Sequence, residues 1–252
     1  MLQNLGATRS SLKPDHLLHT PDTFIRIPLP GASGVDFIVH AGPRAGSGMG
    51  AAFIWMTAEF SAGGVLGPVP DGAQRFLYVL EGEVTLEVDD HKHLMQKDGF
   101  AYLPAGTEST VRAISKARAV VIDKPYEWLS EGESPEIVVG DETKVASEPL
   151  GGDPDLQVRR LMPDGPTWDF AVNTMTYAPG ATLSQVEIHV MEHGLLMLQG
   201  GGIYRLGDHW YPVTEGDFIW MAPYCPQWFG ALGKTPAKYL IYKDWFRHPL
   251  GE

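Results

Sequence analysis

The chain uses one pattern twice. FLYVLEGEVTLEV, around Gly82, is matched by LLMLQGGGIYRL around Gly200, and KDGFAYLPAG, around Pro104, by EGDFIWMAPY around Pro223. The glycines lie 118 positions apart and the prolines 119, and each glycine precedes its proline by almost the same interval, 22 and 23 positions. Such self-similarity marks a tandem duplication of one structural unit. Within each copy the order is strand, glycine, strand, turn, Gly-Asp-type corner, aromatic, proline. That order predicts a small antiparallel β-barrel of jelly-roll type whose strands fold over a central pocket.

The segments between these landmarks agree. FIRIPLP, DFIVHAG, AAFIWMTAEF, EVTLEVDD, STVRAI, ARAVVIDKPY, LQVRRLMP, FAVNTMTYAPG and AKYLIYKD are short, rich in β-branched and aromatic residues, and bounded by Gly, Pro and Asp. None sustains a helical period, so the expected class is all-β. Residues 1–22 read as an irregular arm with a short helix around Pro14–Leu18, of the kind that covers a sheet edge or a neighbouring subunit. The first barrel is then expected over 23–128 and the second over 156–252. The acidic, Gly/Pro/Ser-rich stretch 129–155 reads as a linker carrying one short strand at Glu136–Val139.

Composition sets limits. The chain of 252 residues carries a net charge of −12, which disfavours nucleic acid as a partner, because phosphate contacts need a basic face. No apolar run approaches the roughly 18 residues that span a bilayer, so no membrane role is expected. The N-terminus lacks the apolar core of a signal peptide, and the single cysteine, Cys225, excludes an internal disulfide. The cytoplasm is the expected compartment.

Chemistry concentrates in the second copy. Glu187, His189 and His193 form E-x-H-x-x-x-H. On a strand, side chains alternate faces, so Glu187 and His189 point the same way, and His193 does too if the strand continues. Gln227, from the GDFIWMAPYCPQW segment, would add a fourth donor. One carboxylate, two imidazoles and an amide oxygen suit a divalent ion such as Mn2+, Fe2+, Ni2+ or Zn2+, and the lack of thiolate argues against a structural zinc site. The helical zinc motif H-E-x-x-H does not fit, since Glu192 sits beside the second histidine and Gly180 and Gly194 favour strand and turn. Trp210, Trp220, Trp228, Met197 and Cys225 are expected to be packing residues.

Gly180, the spaced histidines, Gly200, Gly216 and Gln227 resemble the two-part cupin motif, and the two copies together resemble a bicupin, two tandem jelly-roll barrels. From about Leu156 to Leu250 the chain closely resembles the (S)-ureidoglycine aminohydrolase family, manganese-dependent bicupins of purine catabolism. The resemblance implies Mn2+, or another divalent metal, held by Glu187, His189, His193 and Gln227. It implies a small ureido substrate, deaminated hydrolytically, with Glu187 and Lys243 in catalysis. Substrate contacts would come from Tyr204, Tyr239, Lys243 and, from the inter-domain segment, Glu148; alternation puts Tyr239 and Lys243 on one strand face. A homo-oligomer is expected. In the first copy Val69, Asp71, Arg75 and Glu108 stand at the ligand positions, so that barrel is expected to have lost its metal and to serve packing and oligomerisation. The rival functions are another metal-dependent cupin enzyme, a dioxygenase or isomerase, and a non-enzymatic metabolite-binding bicupin.

Overall fold

The computed structural model describes residues 7–43, 50–129 and 134–244. Within them the chain is built from strands β1 (Ser11–Leu12), β2 (His16–His19), β3 (Ala32–Ala41), β4 (Ile54–Leu66), β5 (Ala73–Glu81), β6 (Glu83–Val88), β7 (His91–Gln96), β8 (Gly99–Leu103), β9 (Ser109–Ala113), β10 (Ala117–Pro125) and β11 (Val138–Asp141). There follow β12 (Glu148–Leu150), β13 (Asp153–Arg160), β14 (Ala171–Tyr177), β15 (His193–Gln199), β16 (Gly201–Leu206), β17 (His209–Thr214), β18 (Phe218–Met221), β19 (Gln227–Ala231) and β20 (Ala237–Lys243). The helical content among the described residues is two single 3-10 turns, Pro21–Thr23 and Glu142–Lys144, and no helix is long and apolar enough to cross a membrane. The fold is all-β.

The chain forms two compact units, one of residues 25–145 and one of residues 1–24 with 146–252. In the first, the sheet order is β11-β8-β5-β10-β4-β9-β6-β7, with β3 also on β4. The long β4 pairs with β10 along its first half and with β9 at its end, so one strand carries the sheet around the corner of the barrel. In the second, the orders are β1-β2-β18-β15-β20-β14-β13-β12 and β17-β16-β19. Side chains from both sheets, among them Leu195, Met197, Ile219 and Tyr239 from one and Tyr204, Leu206 and Phe229 from the other, meet in one buried cluster. Burying a side chain such as Phe229 contributes about 2 kcal/mol.

The duplicated glycines have a backbone cause. Gly82 and Gly200 both have positive φ, 75° and 67°. A Cβ on Gly200 would sit 2.6 Å from the Pro236 carbonyl oxygen, and one on Gly82 would collide with the equivalent carbonyl of Lys116. Each glycine therefore lets the hairpin turn where the next strand crosses it.

The arm differs from expectation. Residues 14–18 do not form a helix: His16–His19 is a strand that pairs antiparallel with β18, with His16 opposite Met221 and Leu18 opposite Ile219. The unpaired edge of β18 supplies the hydrogen-bonding partners that an isolated helical turn would lack, and alternation buries His16 and Leu18. Arg9 ties the arm down further, donating at 2.5 and 2.9 Å to the fully buried Asp217. In the first unit the corresponding edge, that of β8, is covered by β11 from the stretch read as a linker. That stretch is therefore structured where it is described: β11 overlaps the expected short strand but begins and ends two residues later, and β12 adds to the second unit's sheet.

Candidate metal centre

His193 opens β15, but Glu187 and His189 lie before it on an extended segment that is not part of that strand. A straight strand from residue 187 to 193 would carry the first and last side chains roughly 20 Å apart. The expected single three-ligand strand is thus replaced by a bend around Val190. Glu187 and Gln227 exchange backbone hydrogen bonds, Glu187 N–H donating at 2.8 Å and Gln227 N–H at 3.0 Å, and the Tyr224 N–H donates to the His189 carbonyl at 2.8 Å. The turn before β19 therefore holds the bent segment against the mouth of β15.

The four side chains converge on His189 Nε2. His193 Nε2 lies 3.3 Å from it, the Gln227 amide nitrogen 2.8 Å and Glu187 Oε2 3.9 Å. Donor atoms on adjacent corners of an octahedral cation are about 3 Å apart, so the spacing fits a divalent ion. The hydrogen-bond balance points the same way. His193 Nδ1 faces the Tyr242 carbonyl at 3.3 Å, which leaves Nε2 as a lone pair in the neutral ring. Burial first, then the charges of His189 and Lys243, hold His193 well below the ordinary histidine range. His189 Nδ1 is buried with no hydrogen-bond partner. As it stands the Gln227 amide N–H donates to His189 Nε2 while its oxygen accepts from Tyr204; a cation at this point would be met by the amide oxygen once the amide is exchanged.

Around the cluster stand buried hydroxyls. Tyr204 Oη donates to Gln227 Oε1 at 3.2 Å, and Tyr177 and Tyr239 share a hydrogen bond of 2.8 Å. Burial, then neighbouring hydroxyls and the Glu187 carboxylate, push Tyr204 and Tyr239 well above the phenol range, so both are neutral donors. Lys243 pairs in register with His193 and shares its strand face with Tyr239. Burial above all, and then the Arg160 charge, pushes its ammonium down to about 8, against the opposing pull of Glu187 and Asp164. With its amide oxygen turned inward, the buried Asn173 accepts from Lys243 Nζ at 3.2 Å. A half-exposed carboxylate, two imidazoles, phenols and an ammonium gathered in one place could hold a cation and bind a small anionic amine.

Glu148 is not among the converging side chains. It is exposed on β12, with its carboxylate 3.7 Å from Arg160, whose charge in turn reaches Lys243. Glu192 is buried away from the cluster, accepting from Trp220 Nε1 at 2.7 Å. Tyr177 and Asn173 escaped the sequence reading; their signal was position alone, on a strand that pairs with β20.

In the first unit the corresponding ladder position tells a different story. Arg75 opposes Asp123 and Leu103 as His193 opposes Lys243 and Met221. Its guanidinium donates to both Asp123 oxygens, at 2.7 and 2.8 Å, and to the Gly67 carbonyl at 2.9 Å. Val69 is packed in the core, and Asp71 and Glu108 are exposed. A fixed guanidinium thus fills the place that His193 takes in the second unit.

Over 99% of its length the chain is 40% identical to the (S)-ureidoglycine aminohydrolase of Arabidopsis thaliana, covering 82% of that protein. The chain belongs to the (S)-ureidoglycine aminohydrolase family. The Escherichia coli K12 member of this aminohydrolase family is 29% identical over 96% of the chain and 93% of its own length. The Cupin domain family matches residues 56–123 and 173–242, one stretch in each unit, so this aminohydrolase-family chain is a bicupin, and its aminohydrolase relatives make it an enzyme. Among solved structures, a putative glyoxylate induced protein from Pseudomonas aeruginosa superposes with a TM-score of 0.88 at 29% identity, over 97% of this chain and 93% of that one. Cupins commonly hold a metal, and Glu187, His189, His193 and Gln227 are candidates to hold one here.

Proposed function

We propose that the protein hydrolyses (S)-ureidoglycine to (S)-ureidoglycolate and ammonia with Mn2+ as its metal, in the allantoin branch of purine catabolism. The observation that carries this is the convergence of Glu187, His193 and Gln227 on His189 Nε2, in the barrel that also presents Lys243 and Tyr239. Relatives at up to 41% identity over nearly the whole chain support it by bearing that enzyme's name.

Glu187, His189, His193 and Gln227 would hold a divalent cation, which when bound would supply Lewis-acid chemistry. The chain's own residues do the rest. Lys243 pairs its ammonium with the substrate carboxylate, and Asn173 keeps that ammonium aimed. Tyr239 and Tyr204 donate to the polar ends of the substrate, and their buried setting makes each hydrogen bond stronger than it would be in water. In the overall step one C–N bond breaks, one C–O bond forms from water, and ammonia leaves. Glu187, the most exposed of the four, carries the proton from water toward the departing nitrogen.

The test is ammonia release from freshly generated ureidoglycine, with product chirality, using purified protein supplied with Mn2+. Metal-dependent release giving only the S product is expected. Release at the spontaneous rate with racemic product would overturn the substrate assignment. Glu187→Gln is expected to retain metal and lose turnover; retained turnover would remove Glu187 from the proton path.

A further inference from the structure

A second group of ligand-type side chains converges in the same unit, outside the Glu187 cluster. Asp15, His16 and Cys225 each offer one donor atom, and these atoms all lie within 4.8 Å of one another. We propose that they form a binding site for a thiophilic divalent cation, Zn2+ by its chemistry, that clamps the N-terminal strand to the turn delivering Gln227.

The donors come from two chain segments about 210 residues apart. Asp15 and His16 enter β2, and the Asp15 carbonyl accepts from Ala222 N–H at 2.9 Å, which fixes the arm to the turn. That turn closes with Cys225 N–H donating to the Ala222 carbonyl at 3.1 Å, around Pro223 and Tyr224. Tyr224 takes a positive φ of 64°, a conformation that costs a non-glycine residue energy and that directs Cys225 back toward the arm.

The chemistry is that of a small-cation site. His16 and Cys225 are almost fully buried, while the Asp15 side chain is 45% exposed, so a path from solvent exists. His16 Nδ1 lies 2.8 Å from Asp15 Oδ1, and Nε2 lies 2.8 Å from Tyr211 Oη. Nδ1, which faces the fellow donor Asp15, is the nitrogen that would take the cation, and Nε2 would keep its hydrogen bond to Tyr211, as the second nitrogen of a metal-binding imidazole does. Donors of a tetrahedral zinc site are separated by roughly 3.3–3.8 Å, within reach of this cluster. Gly207 leaves the cluster its space: a Cβ there would sit 2.9 Å from Asp15 Oδ2. Thiolate, imidazole and carboxylate favour Zn2+ or Co2+, whereas the sulfur-free Glu187 set favours a harder ion, so the two sites would sort metals by softness.

This difference makes the test selective. Metal-stripped full-length protein is titrated with Co2+ and followed by near-ultraviolet absorption, where a sulfur-to-cobalt charge-transfer band reports a thiolate ligand. The chain has one cysteine, so that band can come only from Cys225. We expect the band in the unaltered protein and in a His189→Ala variant, its loss in Cys225→Ser, and at least ten-fold weaker cobalt binding in Gly207→Ala. Cobalt uptake without the band in the unaltered protein would overturn the proposal, whatever the variants do. So would an undiminished affinity in both Gly207→Ala and Asp15→Asn. None of these readings depends on the substrate, so they stand or fall apart from the aminohydrolase assignment.

Discussion

Arg75 and Asp123, 48 residues apart in sequence, form a buried two-fold hydrogen-bonded ion pair where the second barrel has His193 beside Lys243. Removing one partner leaves the other charge buried alone, at about 3–5 kcal/mol, whereas replacing both by apolar residues of similar volume is often close to neutral. Asp123→Asn is therefore expected to lower the urea midpoint strongly, and Arg75→Met with Asp123→Leu to recover most of the loss. A near-wild-type midpoint for Asp123→Asn alone would contradict the ion pair's role.

The N-terminal arm is expected to be structural. Leu18 is fully buried at the centre of β2, facing the core that holds the candidate site. Leu18→Ala should destabilise by about 2–4 kcal/mol through lost transfer energy and a residual cavity. Chemical denaturation measures this directly; a change within about 0.5 kcal/mol would mean the arm is dispensable.

Lys243 sets a pH dependence whose sign can be worked out. Its folded pKa, about 8, lies below the ordinary lysine value of 10.5, so between these values the unfolded chain binds more protons than the folded one. Stability should therefore rise as pH increases from 8 toward 10.5, and the burial penalty should be fully felt below 8. Lys243→Met should flatten that rise. If the ammonium holds the substrate carboxylate, binding should weaken over the same interval, and Lys243→Met should cost roughly 10- to 100-fold in kcat/KM, the worth of a charge-assisted hydrogen bond. Parallel denaturation and pH–rate profiles of the two proteins check both signs.

Tyr204 donates a hydrogen bond to Gln227, one of the four candidate ligands, without being one itself. Partners of this kind typically contribute about 10- to 100-fold in metal affinity. Tyr204→Phe should loosen metal binding by that factor with little change in the circular dichroism spectrum, as read by competition with a chelating dye. Unchanged affinity would leave Tyr204 as a wall residue.

Much of the fold was legible because it is written in short-range pattern. Alternation, turn residues and the duplicated Gly82 and Gly200 mark strands and hairpins locally, and the repeat shows that one barrel occurs twice. The residue types of the candidate site were legible for the same reason: Glu187 and His189 stand two apart, and Gln227 follows a proline-rich turn. What the local pattern misjudged was the path between Glu187 and His193, where a straight strand was expected. The structure bends there because the segment pairs with the backbone of Gln227, a partner that no window around residue 190 contains.

The sequence by itself determined that the protein is all-β, duplicated and asymmetric in chemistry, since periodicity and residue type are properties of neighbours along the chain. Only the tertiary structure decided that residues 16–19 are a strand, because the free edge of β18 is what makes them one. It alone joined Arg75 to Asp123, and Asp15 and His16 to Cys225. Contacts across 48 or about 210 residues depend on which edges and turns remain open once the sheets have formed, and no local periodicity carries that information.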